Sequence, residues 1–457
     1  METTAAVVIG SGFGGLAAAK RLARSGVTTT LISATDEHLF QPLLYQVATG
    51  VLPGSDIAPP IAAVLSGKKS VDVVRGYVTA VDAEAKVVTY RTPEGDRQIQ
   101  YGSLIVAAGA RQGYFGHDEW AQRTFSLKTL DDAVTLRRHL HDCFTGDPAD
   151  EAAHRFVVVG AGATGVELAG QIAELGARHF TDVEPDVYLV EGAGDVLPVY
   201  GGALSDFTRT TLEKAGVQVL TGTMVTDIDD AGRVRVRDAD GREQTITAAT
   251  VVWSAGVQAT GLAKVIAEAT GCRTDRAGRL LINPDLTAGS RDDVFAIGDM
   301  TSLNGYPGQS PVAMQQGRHA ADIVRGKTKP GTAFVYRDKG SMAVVNRHNA
   351  VVDAPGGVRL TGLPGWFTWL AVHLFYLVGF RNRFVAVASW FKAFAGRQRP
   401  GFDGLDARPG AAPAEPSLAD RPAEQPSAEQ PSAERSSAEH PSGEDRSGEP
   451  RRAHPVS

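Results

Sequence analysis

The stretch AAVVIGSGFGGLAAAKRLARSG, Ala5–Gly26, decides the fold. It reads as an apolar strand over Ala5–Ile9, a glycine turn and an alanine-rich helix. Gly10, Gly12 and Gly15 form G-x-G-x-x-G in the strand-to-helix setting that gives the pattern meaning. Gly10 permits the tight turn, Gly12 lets backbone approach a pyrophosphate, and Gly15 lets the helix pack close to its strand. Ser11, Phe13 and Gly14 belong to the same cradle, where the helix N-terminus presents free N–H groups to phosphates. The device returns after a second strand, Arg155–Val159, where GAGATGVELAG places Gly160, Gly162 and Gly165 before a helix running to about Phe180. Two dinucleotide sites in one chain point to electron transfer between two bound cofactors.

Bulk properties narrow the class. The 457 residues suffice for two or three domains, and 43% hydrophobic with 21% charged residues fits a globular body. A net charge of −6 gives no support to nucleic acid as a partner. Cys143 and Cys272 lie far apart and in no C-x-x-C, which argues against a thiol–disulfide enzyme, a cysteine-ligated cluster or a zinc site. No metal is expected. No basic, apolar leader opens the chain, and no window reaches roughly eighteen uninterrupted apolar residues. The body is therefore expected to face the cytosol.

Working outward, Val27–Ile32 reads as the next strand and ends at Ser33, where a dinucleotide fold normally places an acid for the ribose. Asp36 and Glu37 follow, but Ser33 is the expected ribose contact. HLFQPLLYQVATG, His38–Gly50, is bulky, apolar and broken by Pro42. It is either a buried crossover or the lining of a flat cofactor such as an isoalloxazine, with Gln46 in contact. Asp56–Leu65 reads as one helix and Val71–Tyr101 as antiparallel strands. LIVAAGA, Leu104–Ala110, ends on Ala108 and Gly109, where backbone must approach something closely. TVVWSAGV repeats that design with Ala255 and Gly256.

Acids and amides mark the rest of the site. Val187–Val190 ends on Glu191, whose carboxylate would accept both ribose hydroxyls and repel a 2′-phosphate, favouring NAD(H) over NADP(H). Glu167 stands in the first turn of an apolar helix, placed there by the helix dipole or by a cofactor junction. DVFAIGDM ends on Gly298 and Asp299, suited to a ribityl or phosphate contact. The helix Pro311–Val324 carries Gln315 and Gln316, either solvated or donating to a carbonyl ligand. A hairpin over Asp338–Asp353 carries Lys339.

From Ala354 to Phe402 there are six basic residues, no acidic ones, and three of the five tryptophans. Trp366–Phe380 is too short to span a bilayer, and Phe384, Val387, Ala388 and Phe391 recur at helical spacing. This composition suits an interfacial helix pair on an anionic membrane surface, or a hairpin packed on the core or in a dimer interface. Beyond Asp403 the Pro-Ser-Ala-Glu-Arg composition predicts disorder.

Over roughly residues 5–400 the chain resembles the type II NADH dehydrogenases, the single-chain NADH:quinone oxidoreductases of the two-dinucleotide-binding-domain flavoprotein superfamily. The resemblance rests on the two glycine motifs, HLFQPLLYQVATG, VVWSAGV, VFAIGDM, the Asp338–Gly340 DKG and VHLFYLVGFRNR. It implies an α/β fold of two Rossmann-like dinucleotide-binding domains, followed by a membrane-associating helical segment and a disordered tail. The FAD domain is discontinuous, 1–115 and 266–345, around an NADH domain at 116–265, with a membrane-surface segment at 346–400 and the tail at 401–457. FAD occupies the first site and NADH the second. Asp299 touches the ribityl–pyrophosphate region, and Glu167 lies near the nicotinamide–flavin stack, paired with Lys339. In the quinone motif A-Q-x-A-x-Q, Gln315 matches the second glutamine and Pro311 replaces the first. The implied acceptor is a membrane quinone, menaquinone or ubiquinone, reduced on the cytoplasmic face without proton pumping, with a homodimer left open. Two other readings compete: an NADH-dependent reductase of a soluble acceptor, and a non-catalytic NADH-sensing flavoprotein. A sulfide:quinone reductase is disfavoured because redox cysteines are missing.

Overall fold

Runs of Val, Ile and Ala with no charge among them build the first sheet from the inside. In the computed structural model, which describes residues 2–395 and 399–402, β1 (Glu2–Ile9) leads through the glycine turn into α1 (Phe13–Ala23) and back to β2 (Thr29–Ser33), parallel to β1. Gly10 sits at φ +94°, and a Cβ there would strike the Ala107 carbonyl. A Cβ on Gly15 would strike the Gly10 carbonyl, so helix and strand touch through bare backbone.

The chain then turns through α2 (Leu44–Ala48), whose residues are all buried, and through α3 (Gly54–Ile57) and α4 (Ile61–Val64). The single helix expected over Asp56–Leu65 is therefore two short ones. Pro59 and Pro60 divide them, because proline lacks the N–H and pushes its predecessor out of the helical region. The sheet is completed by β3 (Val71–Arg75) beside β2, the hairpin β4 (Tyr77–Asp82) and β5 (Val87–Thr92), and β6 (Gly95–Val106). β6 runs parallel to β1 along its length, and its first half pairs antiparallel with β5.

From here Ala110–Gln112 carries the chain out to a second sheet, and Val257–Ala259 pairs antiparallel with it on the return. Between them lie α5 (Leu130–Thr145), β7 (Arg155–Val159), α6 (Ala163–Arg178), β8 (Asp186–Glu191), β9 (Val217–Thr221) and β10 (Thr250–Trp253). The strands lie in the order β9-β8-β7-β10, all parallel. The glycine geometry repeats: Gly160 has φ +99°, and a Cβ on Gly165 would strike the Gly160 carbonyl. β11 (Val294–Ala296) then rejoins the first sheet, parallel to the end of β6. α7 (Ser310–Val324) packs on α1, with Arg21 holding Asp322 through two bonds of 2.8 Å.

Three antiparallel strands follow, β12 (Ser341–Asn346), β13 (Asn349–Ala354) and β14 (Val358–Thr361), and then α8 (Gly362–Tyr376) and α9 (Phe380–Ala395). Arg383 donates to the carbonyls of Phe375 and Leu377, both at 2.8 Å, and so closes the end of α8. α9 docks through Ala386, Ser389 and Trp390, while the stripe Phe384, Val387, Ala388 and Phe391 faces outward. Among the described residues no helix is long and apolar enough to cross a membrane.

Two segments differ from expectation because of where α9 and the residues after it land. Gln46, expected at a cofactor, is buried and engaged within the fold: its Oε1 accepts the Trp390 indole N–H at 2.7 Å, and its amide donates to the Tyr45 hydroxyl. Gly401 and Phe402, placed by the expected domain bounds in the tail at 401–457, are packed. Arg399 donates to Gln171 at 2.9 Å and pairs with Glu174 at 3.3 Å, both on α6. Phe402 lies among His141, His179 and Phe180, and its ring covers Gly50, where a Cβ would sit 2.6 Å from it. The rest of that expected tail, from 403 on, lies outside the described residues. Gln46→Ala would leave the buried Trp390 N–H unpaired. We expect a stability loss of about 1–3 kcal/mol, read as a lower Tm, with flavin content unchanged.

Candidate active site

A cavity of about 760 Å³ runs from the first glycine turn to the second and on to α8. At one end Ser11, Gly12, Phe13 and Gly14 form the N-terminus of α1. No side chain caps that helix, so its first N–H groups are free for an anion. A Cβ on Gly12 or Gly109 would meet nothing within 4 Å, so open space lies over both backbones. Ala108 and Gly109 at the end of β6 and Gly298 and Asp299 after β11 form the adjoining wall. The chemistry of this cradle fits a dinucleotide: donors without partners, glycine backbone bare to contact, and a partly buried acid for hydroxyls.

The charges in this wall are set by burial. Burial raises the Asp299 carboxyl above its ordinary value, and Lys128 opposes that rise. Lys128, which precedes α5, also lines the cavity, and burial lowers its own pKa. Nothing in the sequence pattern marked it. Ser33, expected at the ribose, does not line the cavity. It is buried, and its hydroxyl shares a 2.8 Å hydrogen bond with that of Ser11. The acid on the wall is Glu37. A tight turn, with Thr35 Oγ1 donating to the Glu37 carbonyl at 3.2 Å, folds the chain back after β2. The signal was an acid one turn past the strand end.

At the second glycine turn, Ala163, Thr164 and Glu167 of α6 and Ser254 after β10 line the cavity. Gly160, Gly162, Gly165, Ala255 and Gly256 adjoin these residues in the chain but do not themselves line the cavity; Gln112 Nε2 donates to the carbonyls of Ala255 and Gly256. Glu191, ending β8, accepts from the N–H groups of Ala161 at 2.6 Å and Ala193 at 2.8 Å. Glu167 is 8% exposed, and one oxygen accepts from Val344 N–H at 3.3 Å. Burial pushes this carboxyl well above its ordinary value, and the single hydrogen bond only partly offsets it. Lys339 lines the same cavity, yet among the described residues no ion pair joins it to Glu167. The hydrogen bond found on Glu167 comes instead from the backbone of Val344 on β12.

The glutamine doublet is also reassigned. Gln315 donates to the Arg337 carbonyl at 2.9 Å and accepts from the Arg337 N–H at 3.0 Å, so its amide is committed to backbone. Gln316 accepts from Gly298 N–H at 2.7 Å and thereby fixes the Asp299 turn. Pro311 and Met314, on the same helix, line the cavity. At the α8 end the wall is Phe40, Leu44, Val372, His373 and Tyr376. The stretch His38–Gly50 is thus both buried and cavity-lining. Burial lowers the His373 pKa to about 4.

Comparisons agree with this architecture. The pyridine nucleotide-disulphide oxidoreductase family model matches residues 4–317, and the NDH2 C-terminal domain model matches residues 339–398. The type II NADH:quinone oxidoreductase NdhA of Mycobacterium tuberculosis is 45% identical over 86% of this chain and 87% of its own length. A second enzyme of that organism, Ndh, is 42% identical over 86% and 88%. The structure of NDH2 from Plasmodium falciparum in complex with NADH shares the fold, with a TM-score of 0.79 at 19% identity over 87% of this chain and 99% of that one. With its two glycine turns, its joining cavity and its C-terminal helix pair, the chain belongs to the type II NADH:quinone oxidoreductases.

Proposed function

We propose that the chain oxidises NADH at the second glycine turn and reduces a membrane quinone at the α8 wall, with FAD held on the first turn. The balance is NADH, H⁺ and quinone to NAD⁺ and quinol. Bound FAD supplies the two-electron relay between donor and acceptor. The observation that carries this reading is the single cavity touching both glycine turns and α8. The N–H groups of Gly12–Gly14 would hold the FAD pyrophosphate, Asp299 its ribityl chain, and Glu37 its ribose. Glu191 would take the NADH ribose and exclude a 2′-phosphate. Glu167 would hold a proton at the cavity wall, with Lys339 as the nearby cation. The chain divides accordingly into an FAD domain at 1–115 and 266–345, interrupted by an NADH domain at 116–265.

The outward rings support an acceptor drawn from a lipid phase. Phe367, Phe375, Phe384 and Phe391 are each more than half exposed on α8 and α9, beside Lys392. Rings and cations without acids suit the cytoplasmic, anionic surface of a membrane. Changing these four phenylalanines to serine removes about 1.5–3 kcal/mol of burial apiece. Binding to anionic vesicles should fall more than about a hundredfold, and turnover with vesicle-borne quinone should fall with it. NADH oxidation by ferricyanide should stay within about twofold. Retained vesicle turnover would sink the lipid assignment, and a drop in oligomer mass alongside it would give the rings to a homodimer.

A further inference from the structure

We infer that His373 reads the redox state of the bound quinone: its Nε2 accepts a hydrogen bond from the quinol hydroxyl and has nothing to give the quinone carbonyl. His373 lies on α8 and lines the cavity beside Phe40, Val372 and Tyr376. Its Nδ1 stands 2.8 Å from the Trp369 carbonyl, one helical turn back. A carbonyl can only accept, so the ring proton is on Nδ1 and Nε2 carries the lone pair. The ring is fixed in orientation. Trp369 stacks on it at 4.3 Å and 27°, and Phe40 meets it edge-on at 6.2 Å and 88°. Among the described residues no hydrogen bond reaches Nε2. The low pKa of the ring keeps it uncharged at neutral pH, so it does not become a donor.

The selectivity follows from the inventory of the two ligands. A quinone head carries two carbonyl acceptors and no donor, whereas a quinol carries two hydroxyl donors. An acceptor-only nitrogen pairs with the quinol hydroxyl and offers the quinone's oxygen nothing, whatever the Tyr376 hydroxyl gives to either ligand. The site therefore stabilises product over substrate, and hydroxyl-bearing inhibitors gain the same bond.

This rests on the reading that quinone enters at the α8 wall, and the test separates the two. Decylubiquinone and decylubiquinol are titrated separately, without NADH, against the FAD-loaded protein, following tryptophan fluorescence. The wild type should bind the quinol about five- to tenfold more tightly. His373→Phe should bind both alike by losing quinol affinity. His373→Gln, whose amide can donate or accept, should bind both alike by gaining quinone affinity. Flavin content checks that each variant folds. A quinol preference surviving in His373→Phe overturns the inference. Val372→Trp, which fills the same wall, should weaken both ligands more than tenfold. If it changes neither, the placement of the quinone fails; if it blocks both while His373→Phe keeps the preference, only the role of His373 fails.

Discussion

Gly10→Ala is expected to yield a colourless protein that no longer retains FAD, whereas Gly160→Ala is expected to yield a yellow one that NADH does not bleach. The two positions are chemically alike and differ only in which sheet they serve. Gly10 has φ +94° and faces the Ala107 backbone; Gly160 has φ +99°, with Ala255 N only 2.8 Å from where a Cβ would sit. A side chain at either site meets both a left-handed backbone and a backbone clash, a local cost of about 1–3 kcal/mol or more. The turn must shift to relieve it, and the N–H groups it aims at a pyrophosphate shift too. Flavin affinity should fall at least about a hundredfold in Gly10→Ala. In Gly160→Ala flavin content should hold within about twofold, while the KM for NADH rises at least about a hundredfold. Visible absorbance after gel filtration, before and after NADH, reads both. A Gly160→Ala protein that loses its flavin yet still binds NADH would exchange the two assignments.

The second large effect is at Glu167, and it has opposite signs in stability and turnover. Burial holds this carboxyl's folded pKa well above 4.5, while the unfolded chain titrates near that value. Above pH 4.5 the unfolded state releases the proton and the folded state keeps it. Wild-type stability therefore falls as pH rises from 4.5 to the raised folded value, by about 1.4 kcal/mol for each pH unit crossed. Glu167→Gln removes the proton from the balance. Its Tm should match the wild type near pH 4 and exceed it by a growing margin as pH rises above 4.5. Turnover with NADH and a soluble quinone should drop about a hundredfold, the size of a lost proton-transfer group. A Tm difference that does not change with pH would show that this carboxyl is not held protonated by the fold. Unchanged turnover would remove it from the mechanism. Stability surrendered at a working site is the usual direction of that trade.

The backbone features of the site were legible in the sequence because their cause is local. A glycine turn between an apolar strand and an alanine-rich helix needs a positive φ and a bare approach, and both requirements are met by residues within one motif. The position of the acid ending β8 was legible too, but both its oxygens accept backbone N–H groups, from Ala161 and Ala193, and it does not line the cavity. Side-chain assignments failed where the partner came from elsewhere. Gln46 was free to contact a cofactor until Trp390, 344 residues later, claimed its oxygen. Gln315 matched a motif, yet the backbone of Arg337 took both ends of its amide. Ser33 stood at the ribose position, but Ser11 engaged its hydroxyl and the following turn moved the wall to Glu37. The end of the basic, aromatic stretch hid a buried arginine and phenylalanine that only find their places against α6 and Gly50. Composition and spacing thus determined that two strand, glycine turn and helix units exist and where they stand. Tertiary structure alone decided which polar side chains face the cavity, because a hydrogen-bonding group serves a ligand only if no distant segment of the folded chain satisfies it first.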